Sequence, residues 1–141
     1  MMRFFFYGTL IAGSGNRMAR LVQERLRFVG PGAARGTLHA IADPRGWYPA
    51  LLRGGGEVRG MIYEAPPDFT AADLARLDAY EDYDPASPAA SLYLRVPVMV
   101  TPAGTAQAYI YNRLLPAGSR PIPGGDFRAW LAAEGLRAFG E

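Results

Sequence analysis

Hydrophobic and polar positions divide the chain into short stretches, each with the periodicity of one element. Arg3–Tyr7 (RFFFY) is an aromatic run and reads as a strand. Gly8-Thr9-Leu10-Ile11 breaks it, and Gly13-Ser14-Gly15-Asn16 reads as a loop. From about Arg17 to Phe28, Met18, Leu21, Val22 and Leu26 share one helical face, and Gly30-Pro31-Gly32 is expected to stop that helix. Arg35–Ala42 alternates loosely as a second strand and ends in the turn signal Asp43-Pro44-Arg45-Gly46. Trp47–Leu52 is extended, Gly54-Gly55-Gly56 reads as a turn, and Val58–Glu64 is a third strand. Tyr93–Val100 is a strand with Pro97 inside it, which places it at an edge or on a bulge because proline cannot donate to a ladder. Pro102-Ala103-Gly104 turns it into an antiparallel partner at Ala106–Tyr111. After a Pro/Gly-rich stretch, Asp126 is placed to cap a helix over Phe127–Glu134, with Gly135 at the left-handed closing position. Short strands with scattered helices argue an α+β fold with a mostly antiparallel sheet.

The stretch from Thr70 to about Tyr83 carries most of the chemistry. Thr70 and Asp73 form a capping pair, hydroxyl and carboxylate each reaching the other residue's backbone N–H. Leu74, Leu77, Asp78 and Glu81 then fall at i, i+3, i+4 and i+7 on one face. Two leucines call for burial of a face whose last turn is acidic. A carboxylate on a core-facing stripe loses hydration and its pKa rises, as a general base near neutral pH requires. The alternative is a rotated stripe, with Glu81 in water beside Asp82 and Asp84; ionic residues are seldom buried, and periodicity favours this second placement.

Composition narrows the classes. The 141 residues, half of them apolar and about a fifth charged, suit one globular domain spanning 1–141. Cysteine is absent, which excludes disulfides and thiolate chemistry. No secretory signal or membrane-length apolar run is visible, so a cytoplasmic location is expected. The net charge is +2, but every basic residue is arginine and they are spread from Arg3 to Arg137, which argues against a nucleic-acid stripe.

Several sites fail on their own terms. Gly13-x-Gly15 lacks the third glycine of a dinucleotide cradle, Met18 standing there. The one histidine, His39, lies on a strand, and Ser14 has no Gly-x-Ser-x-Gly elbow. Asp78, Glu81, Asp82 and Asp84 do not have the spacing of a calcium loop. No metal and no cofactor is expected; acid–base work by one carboxylate remains.

Tyr7-Gly8-Thr9-Leu10 after the first strand, Tyr48-Pro49-Ala50-Leu51, Val58–Tyr63, Leu77-Asp78-Ala79-Tyr80-Glu81, Tyr93 with Arg95 and Val98, and Ala108–Tyr111 follow one another over residues 3 to 113. In that order and spacing they resemble the γ-glutamylcyclotransferase-like family, nearest its γ-glutamylamine cyclotransferase and AIG2-like branch. The resemblance implies a small mixed β-barrel flanked by helices. It implies release of an amine or amino acid from a γ-glutamyl compound as 5-oxoproline forms, a cofactor-free cyclisation of transferase or lyase type. Glu81 takes the position of the general acid/base, and Tyr7, Gly8, Thr9 and Leu10 that of the substrate loop. The implied partner is a small γ-glutamyl substrate, without nucleic acid or membrane, on a monomer or weak dimer. The family commonly has glycine after its glutamate, where this chain has Asp82. Two rival readings are a ligand-binding module on the same fold and an amidohydrolase or acyltransferase. The sequence leaves open the preferred leaving amine and the role of residues 116–141.

Overall fold

The computed structural model describes residues 2–8, 22 and 24–139. Its strands are β1 (Arg3–Phe6), β2 (Arg27–Asp43), β3 (Gly46–Glu64), β4 (Tyr93–Thr101), β5 (Gly104–Tyr111) and β6 (Arg120–Pro121). Among the described residues the helices are α1 (Ala71–Tyr80) and α2 (Phe127–Glu134), besides the helical residues Val22, Glu24 and Arg25, with a 3-10 turn at Pro88–Ala90. The strands neighbour one another in the order β3-β1-β5-β4-β2, and β2 pairs back onto β3. Five strands therefore close into a mixed barrel, with the short β6 added alongside β2. Only β1–β5 is parallel among these pairings. Closure leaves few exposed edges, and the result is the α+β barrel flanked by helices that the sequence led us to expect.

Strand β1 explains why its sequence is aromatic throughout. Phe4, Phe5, Phe6 and Tyr7 are all buried, so both faces of the strand are covered. Phe5 and Tyr7 join a cluster containing Leu38, Leu51, Val58, Ile62, Val100 and Ala108 from the other four barrel strands, closed by Phe127 and Leu131 of α2. Phe4 and Phe6 turn the other way, to Tyr63, Tyr109, Tyr111 and Leu77 of α1. The two helices thus cover different sides of the strand that leads into the Tyr7–Gly8 corner.

The long hairpin β2–β3 differs from expectation. Val22, Glu24 and Arg25 are helical, and the earlier part of the expected helix lies outside the described residues. Its end comes sooner than Phe28, because β2 starts at Arg27 and pairs Arg27 with Glu64 and Phe28 with Tyr63. Gly30-Pro31-Gly32 and Gly54-Gly55-Gly56, expected as a stop and a turn, are both inside strands. Register shifts between Phe28 and Gly30 and between Arg35 and Thr37 show what these glycines do: they bulge and bend the hairpin so that it can close the barrel. Three expected segments are consequently two continuous strands. Pro97 fits where β4 has β5 on one side only, since β2 meets β4 at Val100 and Thr101 alone.

Gly60 shows how tightly the barrel is drawn. A Cβ there would fall inside 3.0 Å of the Phe6 carbonyl oxygen and the Phe5 ring. Gly60→Ala is expected to cost about 1–3 kcal/mol in urea unfolding, the usual range for overpacking. Gly55→Ala, where a Cβ meets nothing within 4 Å, is expected to stay within about 0.5 kcal/mol.

Candidate active site

Helix α1 is set at its start by the expected capping box. Asp73 N–H donates to Thr70 Oγ1 at 3.1 Å, and Thr70 N–H donates to an Asp73 carboxylate oxygen at 2.9 Å. Leu77 and Asp78 are buried, so the stripe faces inward rather than rotating to solvent. The helix is shorter than expected: it ends at Tyr80, Glu81 is its C-cap, and Asp82 adopts φ 52°. That is the left-handed conformation which glycine adopts without strain and which aspartate tolerates better than most residues.

The last turn is clamped to the barrel through Asp78. Arg95 of β4 donates from Nε to Asp78 Oδ1 at 2.9 Å, and the Tyr109 hydroxyl of β5 donates to the same oxygen at 2.7 Å. Arg95 also reaches Gln107 at 3.2 Å. Asp78 is 3% exposed, and a buried charge of this kind is tolerable only with such partners. The carbonyls of Leu77 and Asp78 accept the Glu81 N–H, which fixes where the next side chain starts.

Glu81 lines a cavity of about 210 Å³, shared with Tyr7, Gly8, Tyr48, Pro49, Tyr93 and Tyr109. Three of the wall phenols have their protons committed elsewhere. Tyr7 donates to the Tyr109 carbonyl, Tyr93 donates to the Pro49 carbonyl at 2.6 Å, and Tyr109 donates to Asp78. Burial raises the pKa of all three, and the Glu81 charge pushes each further up. Glu81 itself is pushed up to about 8, first by loss of hydration and then by the neighbouring Asp82. Gly8 is required by packing: a Cβ there would run into the Pro49 ring.

Of the residues expected at the site, Glu81, Tyr7 and Gly8 line one pocket; Thr9 and Leu10 lie outside the described residues. His39 pairs with Ala50 on the β2–β3 ladder and does not line this cavity. Among the described residues, no group of three or more His, Asp or Glu side chains is placed to hold a metal. No helix among them is long and apolar enough to cross a membrane. The sequence reading missed the rim. Asp43 and Arg45, read there as turn residues, line the pocket together with Phe139 from the C-terminal segment. That segment also fills the core through Ile122, Phe127, Leu131 and Ala138. No local signal marks the rim, because it is made where two distant stretches meet.

A family model described as "Gamma-glutamyl cyclotransferase, AIG2-like" matches residues 4–129. Among solved structures, an AIG2-like protein from Mus musculus is 26% identical with a TM-score of 0.57, over 84% of this chain and 80% of that one. The protein ytfP from Escherichia coli is 28% identical with a TM-score of 0.57, over 89% and 96%. An uncharacterized protein from Pyrococcus horikoshii is 18% identical with a TM-score of 0.67, over 96% and 97%, a likeness of fold. No curated protein matches the chain by sequence.

Two outcomes follow from the electrostatics of Glu81. Below its ordinary value of 4.5 the carboxyl is protonated whether folded or not. Between there and about 8 the unfolded chain gives up this proton while the folded one keeps it, so stability falls as pH rises and levels off above. Urea titrations are expected to find Glu81→Gln free of this slope and more stable than wild type at pH 9 by more than about 1 kcal/mol, with the two converging at pH 4. Asp82→Gly removes the left-handed cost and the second charge. It is expected to gain about 0.5–1 kcal/mol and to lower the Glu81 pKa, read by NMR of the carboxyl carbon, while leaving it above 4.5.

Proposed function

From the premise that the chain belongs to the γ-glutamyl cyclotransferase, AIG2-like family, we propose that it is a γ-glutamylcyclotransferase that converts a small γ-glutamyl compound into 5-oxoproline and a free amine or amino acid. One observation carries this reading. In a pocket where the hydroxyl protons of Tyr7, Tyr93 and Tyr109 are committed to other acceptors, Glu81 has its pKa brought to about 8, beside the Tyr7–Gly8 corner.

The α-amine of the substrate is its own nucleophile, but near neutral pH it is mostly ammonium and cannot attack. Glu81 takes one proton from it. The freed nitrogen attacks the γ-carbonyl carbon and a five-membered ring closes. Glu81 returns its proton to the leaving nitrogen as that bond breaks, and the second proton of the ring nitrogen passes to the departing amine, which leaves as ammonium beside the neutral lactam. No water is consumed. A base whose pKa lies near that of the ammonium moves the proton at little cost in either direction. Folding the substrate into a small cavity makes the attack intramolecular, where well-oriented pairs reach effective molarities on the order of 10⁵–10⁸ M. The wall oxygen of Tyr93, its proton already given to the Pro49 carbonyl, is left as an acceptor, which suits an ammonium. The backbone N–H of Gly8 is assigned to the oxyanion, a contribution of about 10²–10³ in rate for one donor.

A panel of γ-glutamyl compounds assayed for 5-oxoproline tests the proposal. Wild type is expected to form it, and Glu81→Gln to lose about 10²–10⁴ in kcat with its fold intact. In wild type, kcat/KM is expected to rise with pH through a value near 8, and kcat through a lower one, because bound ammonium favours the charged carboxylate. An active Gln variant, or free glutamate as the product, would overturn it.

A further inference from the structure

Among the described residues the rim of the pocket holds one cationic side chain, and its surroundings fix where that charge points. Arg45 lies on the turn between β2 and β3, its side chain 75% exposed, whereas Tyr7, Tyr93 and Tyr109 deeper in the cavity are all buried. Its guanidinium carbon sits 4.6 Å from the centre of the Phe139 ring. That ring packs edge-on against Tyr48 at 6.0 Å. Phe139 is itself tied down: its N–H donates to the Trp47 carbonyl at 2.6 Å, and Trp47 N–H donates to the Arg137 carbonyl at 2.9 Å. Asp43 accepts from the Arg45 backbone N–H at 2.9 Å and from Nε at 3.3 Å. Among the described residues this pair engages Nε, and the two Nη groups remain as a fork of the shape that grips a carboxylate.

Among the described residues the other charged side chains on the pocket wall are Asp43, Glu81 and Asp82. Such a wall attracts an ammonium and repels a second carboxylate unless a cation offsets it. With the γ-glutamyl half held deep, its ammonium at Glu81, the departing half must extend toward the rim. Resting on the function proposed above, we infer that Arg45 is a specificity-determining residue that binds a carboxylate on the departing half. The protein then prefers γ-glutamyl amino acids to γ-glutamyl amines. Phe139 holds the guanidinium in place, so the C-terminal segment takes part in choosing the substrate.

The test compares γ-glutamylalanine with γ-glutamylethylamine, which lacks the second carboxylate. Wild type is expected to favour the former in kcat/KM by about tenfold, and Arg45→Met, which keeps the aliphatic stem, to abolish the preference by lowering kcat/KM for the alanine compound about tenfold more than for the ethylamine. Equal losses on both compounds, or a wild-type preference for the ethylamine, would overturn the assignment. Calorimetric Kd values for the same two compounds on Glu81→Gln, with Arg45 and with Arg45→Met, separate this inference from the one it rests on. If neither compound yields 5-oxoproline the cyclisation is wrong, yet an Arg45-dependent preference in Kd still supports the carboxylate site, and its absence overturns it.

Discussion

The pocket depends on the buried ion pair between Asp78 and Arg95, with the Tyr109 hydroxyl on the same carboxylate oxygen. Helix α1 is short, and a helix of 10 residues has little stability of its own. Its first turn is held by Thr70 and Asp73 and by Arg25 at 2.9 Å from Asp73; its last turn is held by Asp78. Strands β4 and β5 supply the partners, and their register places Arg95 opposite Tyr109. A carboxylate at Asp78 therefore joins three elements, and Glu81 follows one turn later as a consequence.

The same local structure carries costs that folding alone would not select. Glu81 is held where ionisation is disfavoured, and Asp82 stands in a left-handed conformation. Neither adds stability, and both raise the basicity of one carboxylate. The neighbours are arranged to bear the cost: the C-cap N–H groups of the turn are satisfied, with Asp82 N–H donating to Ala79 and Tyr83 N–H to Asp78. Strain and perturbed titration coinciding in one turn of an otherwise well-capped helix is the pattern of a site built for chemistry.

What could be read from the sequence was local. The capping box at Thr70 and the Asp126 and Gly135 caps of α2 are set by residues within a turn of one another, and the structure has them where the spacing put them. The stripe of α1, which periodicity favoured turning to solvent, instead faces inward because Asp78 finds Arg95 and Tyr109 on distant strands. Both-sided burial of β1 was implicit in its unbroken aromatic run. Gly30, Gly32 and Gly54–Gly56 misled because glycine signals any departure from regular backbone, and whether that departure is a turn or a bulge is decided by the strand opposite. Closure of β2 onto β3 supplies that information and is nonlocal. The rim was illegible for the same reason. Arg45 and Phe139 are 94 positions apart and meet only because Trp47 pairs with the segment around Ala138.

The phenol wall also bears on how Glu81 titrates. A tyrosine with a free hydroxyl proton near Glu81 would compete to donate to it, lowering its pKa by stabilising the charged form. Here Tyr7 and Tyr93 spend their protons on the carbonyls of Tyr109 and Pro49. Tyr109 spends its own on Asp78. Each bond also ties one element to another, so this part of the wall is rigid for the same reason that these three hydroxyls are unable to donate. Desolvation is then the first cause of the raised pKa of Glu81, and the aromatic rings that pack this end of the barrel are the same ones that take hydration away from the acid at the end of α1.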